Sequence, residues 1–210
     1  MRGWTLLLIS MMLLVPASGR GEVADFAPPA ASAPFDEVDE ATLQARVTAQ
    51  TLAFLDRLQQ HWGQGPDRLR TVVTGVPAER VDDTALIYLR NLNDHGILEG
   101  YEFQRGSLAR GQYVIIQQPL NGLNEFIGYY TALKDALSAA YGKPDLDRVV
   151  WDNDLYHPLP EYWGVAVMIG HLRYHAAWET AEGTLTLDLN GNQYSRLSVE
   201  YRVRGENAET

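Results

Sequence analysis

Leu172-Arg173-Tyr174-His175-Ala176-Ala177-Trp178-Glu179, Leu185-Thr186-Leu187-Asp188-Leu189 and Leu197-Ser198-Val199-Glu200-Tyr201-Arg202-Val203 each alternate apolar with polar side chains. A period of two sends alternate side chains to opposite faces of a strand. Three such runs in succession therefore read as an antiparallel meander with one buried face and one wet face. Asn190-Gly191 has the residue types of a type I′ turn and is expected to join the second run to the third. Immediately upstream, Gly122–Tyr141 carries Leu123, Phe126, Tyr130, Leu133, Leu137 and Tyr141 at steps of three and four. That is the seam of a core-facing helix. Asn121 is placed to cap it, Gly142 suits the left-handed position after its end, and Pro144 bars continuation. Val149–Trp151 reads as a short strand, and Glu161–Ile169 as a short helix entered through Pro160 and ended by Gly170.

The first half of the chain has a similar rhythm. From Asp39, the residues Leu43, Val47, Leu52, Leu55, Leu58 and Trp62 recur near helical spacing until Gly63-Gln64-Gly65-Pro66 interrupts them. A second short helix is expected over Asp67–Thr74, closing at Gly75-Val76-Pro77. Strands follow at Thr84–Arg90, Leu98–Phe103 and Gln112–Gln117, with a turn at Arg105-Gly106. Helices ending in Gly75-x-Pro77 and Gly142-x-Pro144 each lead into a set of strands, which suggests two repeated helix-plus-meander halves, 63–118 and 119–205. The expected class is α+β, an antiparallel sheet covered by helices, in one principal domain spanning 39–205.

The N-terminus reads as an address. Arg2, the apolar run Thr5–Val15 and the small residues Pro16-Ala17-Ser18-Gly19 are the three parts of a secretory signal, 1–19, cleaved after Gly19 or after Ala24. A bilayer needs about twenty apolar residues, more than this run supplies, so no membrane anchor is expected after cleavage. Residues 20–38 are Ala/Pro-rich without apolar period and read as a flexible linker; 206–210 reads as a disordered polar tail. The chain has 210 residues, no cysteine and a formal charge of −10, and signal removal takes away the positive charge of Arg2. An acidic surface disfavours nucleic acid and anionic lipid as partners. An exported chain without disulfides must be held by its core. The expected location is periplasmic or secreted.

Tyr101-Glu102-Phe103, Tyr130-Thr131-Ala132-Leu133-Lys134, Tyr141-Gly142-Lys143-Pro144, Trp151 and Trp178-Glu179 together resemble a group of uncharacterised bacterial exported α+β proteins. With Trp62-Gly63 and Asp82–Tyr88 the resemblance extends over much of the chain. It implies bacterial export and implies no activity. Helices before a three-stranded meander are also similar in layout to the small lipoprotein of the outer-membrane assembly machinery. Duplicated, that unit is similar to the β-lactamase-inhibitor protein. Both are binding proteins. This chain departs from them in lacking the lipid-accepting cysteine of the one and the disulfides of the other.

Two polar groups are candidates for chemistry. Asp152, Asp154, His157 and Glu161 gather carboxylates and an imidazole within one loop, the ingredients of general acid/base or cation chemistry. The same stretch reads equally as turn residues and a helix entry. His171 and His175 would share a face on a helix and could both reach zinc; on a strand they stand about 13 Å apart, too far for one ion. The strand pattern favours the second, so no metal and no cofactor is expected. No Gly-x-Ser-x-Gly, dinucleotide or phosphate-loop motif occurs, and an enzyme is the less favoured reading. Tyr129, Tyr156, Tyr162 and Trp163 fall off the core patterns or at their edge; they read first as packing at the rim of the core and second as an exposed contact patch. The leading expectation is a soluble extracytoplasmic binding or accessory protein acting through protein–protein contact, with an envelope protein as partner. The rival is an envelope hydrolase or glycan-binding protein using the 152–161 loop and its aromatics.

Overall fold

A computed structural model describes residues 39–73, 76–77, 84–92, 95–117 and 124–204. In chain order these form α1 (Glu40–His61), α2 (Pro66–Val72), β1 (Val76–Pro77), β2 (Ala85–Leu92), β3 (His95–Gln104), β4 (Ser107–Gln117), α3 (Glu125–Tyr141), β5 (Leu146–Trp151), α4 (Trp163–Met168), β6 (Leu172–Glu179), β7 (Gly183–Gly191) and β8 (Ser195–Val203). Two single 3-10 turns, Asp154–Tyr156 and Pro160–Tyr162, lie between β5 and α4. The expected signal, linker and tail, the cap Asn121 and the seam residue Leu123 lie outside the described residues.

The fold is α+β, an open antiparallel sheet with helices. Its strand order is β1-β2-β3-β4-β8-β7-β6-β5, and every neighbouring pair is antiparallel. The order is a palindrome about the β4–β8 seam. The meander β2-β3-β4 runs inward from one side, and β6-β7-β8 runs inward from the other. Between them α3 carries the chain from the sheet centre to the far edge, so β5 begins the second half at the opposite border from β1.

Alternation assigns the faces. The register aligns Leu86, Tyr101, Gly111, Tyr201, Leu185 and Trp178 in one row across the sheet, and Tyr113, Val199, Leu187 and Ala176 in the next. These side chains are buried under α1 and α3, together with Phe54, Leu58, Phe126, Leu133 and Leu137 from the helices. α1 opens on Asp39, whose carboxylate accepts from the Thr42 N–H at 2.8 Å. Trp178 donates to the Gly142 carbonyl at 2.8 Å and ties the end of α3 to β6. Gln59 donates to the Tyr141 hydroxyl at 2.9 Å and ties α1 to α3. The opposite face of the sheet carries Ile87, Leu98, Glu102, Arg110, Gln112, Glu200, Thr186, Asp188, His175 and Arg148, and no described helix lies over it.

One sequence expectation is corrected. Asn190-Gly191 is not the hairpin turn: both residues are still in β7, opposite Arg196 and Ser195, and the loop is Asn192-Gln193-Tyr194 with Gln193 at φ 69°. Gly191 answers a packing demand instead. A Cβ there would lie 2.2 Å from the Val167 carbonyl oxygen, so α4 comes down on β7 only because this position has no side chain.

Gly191→Ala is therefore expected to destabilise by about 2 kcal/mol or more in urea unfolding. Gly96→Ala, on β3 with nothing within 4 Å of the place its methyl group would take, is expected to be neutral or slightly stabilising in the same measurement.

Candidate functional site

The segment between β5 and β6 is built around tryptophan edges. Trp151 ends β5 opposite Leu172. Asn153 caps the first 3-10 turn by accepting from the Leu155 N–H at 2.9 Å. Asn124, at the start of α3, donates to the Pro160 carbonyl at 3.1 Å and accepts from the Gly164 N–H at 2.8 Å, which fastens the loop to that helix. Trp163 donates to the His157 carbonyl at 3.3 Å. The Trp151 ring meets His157 at 4.9 Å and Trp163 at 5.7 Å, both edge-on. Tyr156 lies 6.2 Å from both Tyr162 and His171. The aromatic residues named from sequence thus fall into two ring groups, His157 and Trp163 about Trp151, and Tyr162 and His171 about Tyr156.

The carboxylates join neither. Asp152 takes a two-point bond from Arg173, 2.7 Å from Nε and 2.9 Å from Nη2, and this bond followed by the carboxylate charge raises the Arg173 guanidinium above its ordinary value. Asp154 and Glu161 stand exposed in solvent. Residues 172–175 are extended strand; His175 Nδ1 lies 2.6 Å from Asp188 while His171 sits beside Tyr156. Among the described residues no three potential ligands gather as a metal site would require.

Its exposed side chains are mixed, and several of them are large and apolar. Leu155 is 63 % exposed, and Leu159, Tyr162 and Ile169 are about as exposed as one another near 40 %. Val149 and Val150 of β5 are also exposed, on opposite faces of the strand. Among the described residues only Leu89, on β2, is a large exposed hydrophobe elsewhere. The exposed large hydrophobics are thus concentrated in one stretch of the chain, 149–169.

The uncovered sheet face is ionic at its centre. Arg110 bonds Glu102 at 3.0 Å and Glu200 at 2.6 Å, and Arg202 bonds Glu200 at 3.0 Å, so four side chains from β3, β4 and β8 form one chain of charges. Burial works to raise the Glu200 carboxyl, but the bonds from Arg110 and then Arg202 outweigh it and hold the group below its ordinary value.

Sequence reasoning missed two buried polar groups. Glu99 is 3 % exposed on the helix side of β3, opposite Tyr88 and Tyr113. Arg57 of α1 reaches it at 2.9 Å, Arg90 of β2 lies 3.2 Å from each of its oxygens, and the Tyr101 hydroxyl donates to it at 3.1 Å. Burial first, and then the Glu99 charge, push the Tyr101 phenol far above its usual range. Nearer the end of β3, buried His95 places Nε2 3.2 Å from both Glu125 and the Tyr129 hydroxyl, which itself donates to Glu125. Tyr129 is fully buried, which corrects its expected place at the rim or in an exposed patch: α3 buries 126, 129, 130, 133 and 137, a stripe wider than the seam read from sequence. The signal was present. His95, Ile97, Glu99, Tyr101 and Phe103 keep strict alternation, but two polar members of the buried set disguise the first half of the strand.

Comparison of the chain with protein-family models, with curated proteins and with solved structures finds no match.

Arg57→Met removes one partner of a buried carboxylate and is expected to cost about 2–3 kcal/mol in chemical unfolding. A lowered Glu200 stabilises the fold above the ordinary carboxylate range, and that contribution is lost as pH falls through its lowered value. Arg110→Met is accordingly expected to shrink the stability difference between neutral and acid pH, measured as unfolding midpoints across an acid titration.

Proposed function

We propose that the chain is a soluble extracytoplasmic binding or accessory protein that works through protein–protein contact, with an envelope protein as its partner. The observation that carries this reading is the concentration of exposed apolar side chains between Val149 and Ile169, on a loop that Asn124 and the tryptophan cluster hold in place. Pre-ordered apolar contact area is what a recognition surface needs, because little conformational entropy remains to be lost on binding. Asp152 is engaged by Arg173 and the other loop carboxylates face solvent, an arrangement suited to the rim of a contact rather than to acid/base work. The apolar run and small residues of 1–19 support export, which the mature N-terminus tests: mass spectrometry of the exported protein is expected to find Arg20 or Asp25 first.

Immobilised protein incubated with envelope extract is expected to retain a specific protein that a Leu155→Asp, Tyr162→Asp variant, still folded by circular dichroism, releases. Identical recovery by both proteins overturns the reading.

A glycan-binding role has one observation in its favour, the two aromatic pairs Trp151–Trp163 and Tyr156–Tyr162 within one loop. It requires that soluble cell-wall fragments change the tryptophan fluorescence and that Tyr162→Ala abolish the change; absence of any response removes it.

A further inference from the structure

The two borders of the sheet are unlike. At one, β2 is covered for two residues by β1, which contains Pro77. At the other, β5 pairs, among the described residues, with β6 alone, and from Asp147 to Val150 its side chains are exposed without interruption. The Asp152 N–H donates inward to the His171 carbonyl, and alternation along β5 therefore turns the backbone groups of Val149 and Trp151 away from the sheet. An exposed strand edge of this kind is a template for another strand.

We infer that β5 is a self-pairing edge, through which two copies of this chain join antiparallel about a two-fold axis at Val150. A two-fold axis normal to the sheet keeps the helix-covered faces of both copies on one side, so each residue must meet a partner residue from the same face. Few registers satisfy this. Centring on Arg148 sets guanidinium against guanidinium, and centring on Val149 sets Asp147 against Trp151. Centring on Val150 brings Val150 against its own copy on the uncovered face and Val149 against the partner's Trp151 on the other. It also brings Arg148 against the partner's Asp152, twice. Aromatic with β-branched and opposite charges are the favourable cross-strand combinations.

Charge complementarity selects a second copy over an unrelated strand. Arg148 is exposed and, among the described residues, makes no ion pair within its own chain, whereas Asp147 is held by Lys134 at 3.0 Å and Asp152 by Arg173. In this register the Arg148 guanidinium faces a carboxylate already oriented by Arg173 and with acceptor capacity left over. Asn153 is extended, at φ −153° and ψ 131°, so the seam can continue through it to oppose the partner's Asp147. The seam takes Val149 and Val150 from the exposed apolar run that carries the accessory-protein reading and leaves Leu155, Leu159, Tyr162 and Ile169 outside it, so the two readings are tested apart: one by substitutions at 155 and 162, the other at 148 and 150.

The test uses sedimentation of the purified protein and a cross-link. The native chain is expected to sediment as a dimer. Arg148→Asp, which faces the partner's Asp152 with a like charge, is expected to weaken the dimer by about tenfold or more without changing the thermal midpoint of the monomer. The chain has no cysteine, so Val150→Cys gives a single thiol on the axis. Mild oxidation is expected to convert it to a covalent dimer, while Leu89→Cys, exposed on β2, stays monomeric on a non-reducing gel. A native chain that sediments as a monomer, a dimer indifferent to Arg148→Asp, or a position-150 thiol that fails to cross-link overturns the inference. So does a monomer that captures only an unrelated strand at this edge.

Discussion

Leu58 of α1 rests on the one position in the sheet centre that has no side chain. A Cβ at Gly111 would lie 2.3 Å from both Leu58 methyl groups, so Leu58 packs directly on the β4 backbone. Phe54, one turn earlier, then reaches Tyr101 and Tyr113 at 5.6 Å and 5.4 Å, and Trp62, one turn later, stacks on Tyr201 at 5.3 Å. Three contacts at helical spacing run from β3 across β4 to β8, which means α1 lies over the seam where the two halves of the sheet meet. A helix placed on that seam binds both meanders at once, and neither meander could bury its apolar face alone.

One-sided cover has consequences for the other face. With the apolar set committed to the helices, the solvent side of the central strands must be polar, and the Glu102–Arg110–Glu200–Arg202 chain fulfils this with mutual satisfaction rather than with isolated charges. Val114 is the exception. It is buried on the uncovered face, outside the main core, between Leu98 and Ser198 in the register. On the central strands the apolar residues of this face, Leu98, Val114 and Ile116, come from the first meander, while β8 contributes Glu200 and Arg202. The palindrome of strands is therefore not a palindrome of surfaces, and any partner approaching the open face meets two different chemistries.

Legibility follows periodicity. The last three strands and α3 are readable because each keeps its alternation or seam unbroken, and that alone is enough to define an α+β sheet with one buried face. β3 is half readable, because His95 and Glu99 occupy buried positions and look like solvent residues until Tyr129, Arg57 and Arg90 arrive from elsewhere in the chain. Nothing local announces such partners: Arg57 and Glu99 are far apart in sequence and meet only when α1 crosses β3. The expected turn at Asn190-Gly191 fails for the same reason. Turn chemistry is local, but the requirement for glycine at 191 comes from α4, an element that contacts β7 only in three dimensions. In the loop before α4 the residue types are legible and their grouping is not, since aromatic side chains gather by packing into two groups while the carboxylates are drawn off to Arg173 and to solvent.

The same separation bears on what kind of site the loop can be. A catalytic carboxylate must be shielded enough to have its proton affinity tuned and close enough to a second group to exchange a proton with substrate. The molecule does possess shielded, densely bonded polar groups, but they are Glu99 and the His95–Glu125–Tyr129 set, closed in beneath the helices, where both arginines and the tyrosine hydroxyl occupy the Glu99 oxygens. Its accessible groups are the reverse: exposed carboxylates without shielding, beside apolar side chains held rigid. Shielding and access are thus assigned to different places in the fold. The densely bonded polar groups tie the helices to the sheet, and the exposed carboxylates of the loop stand apart from them.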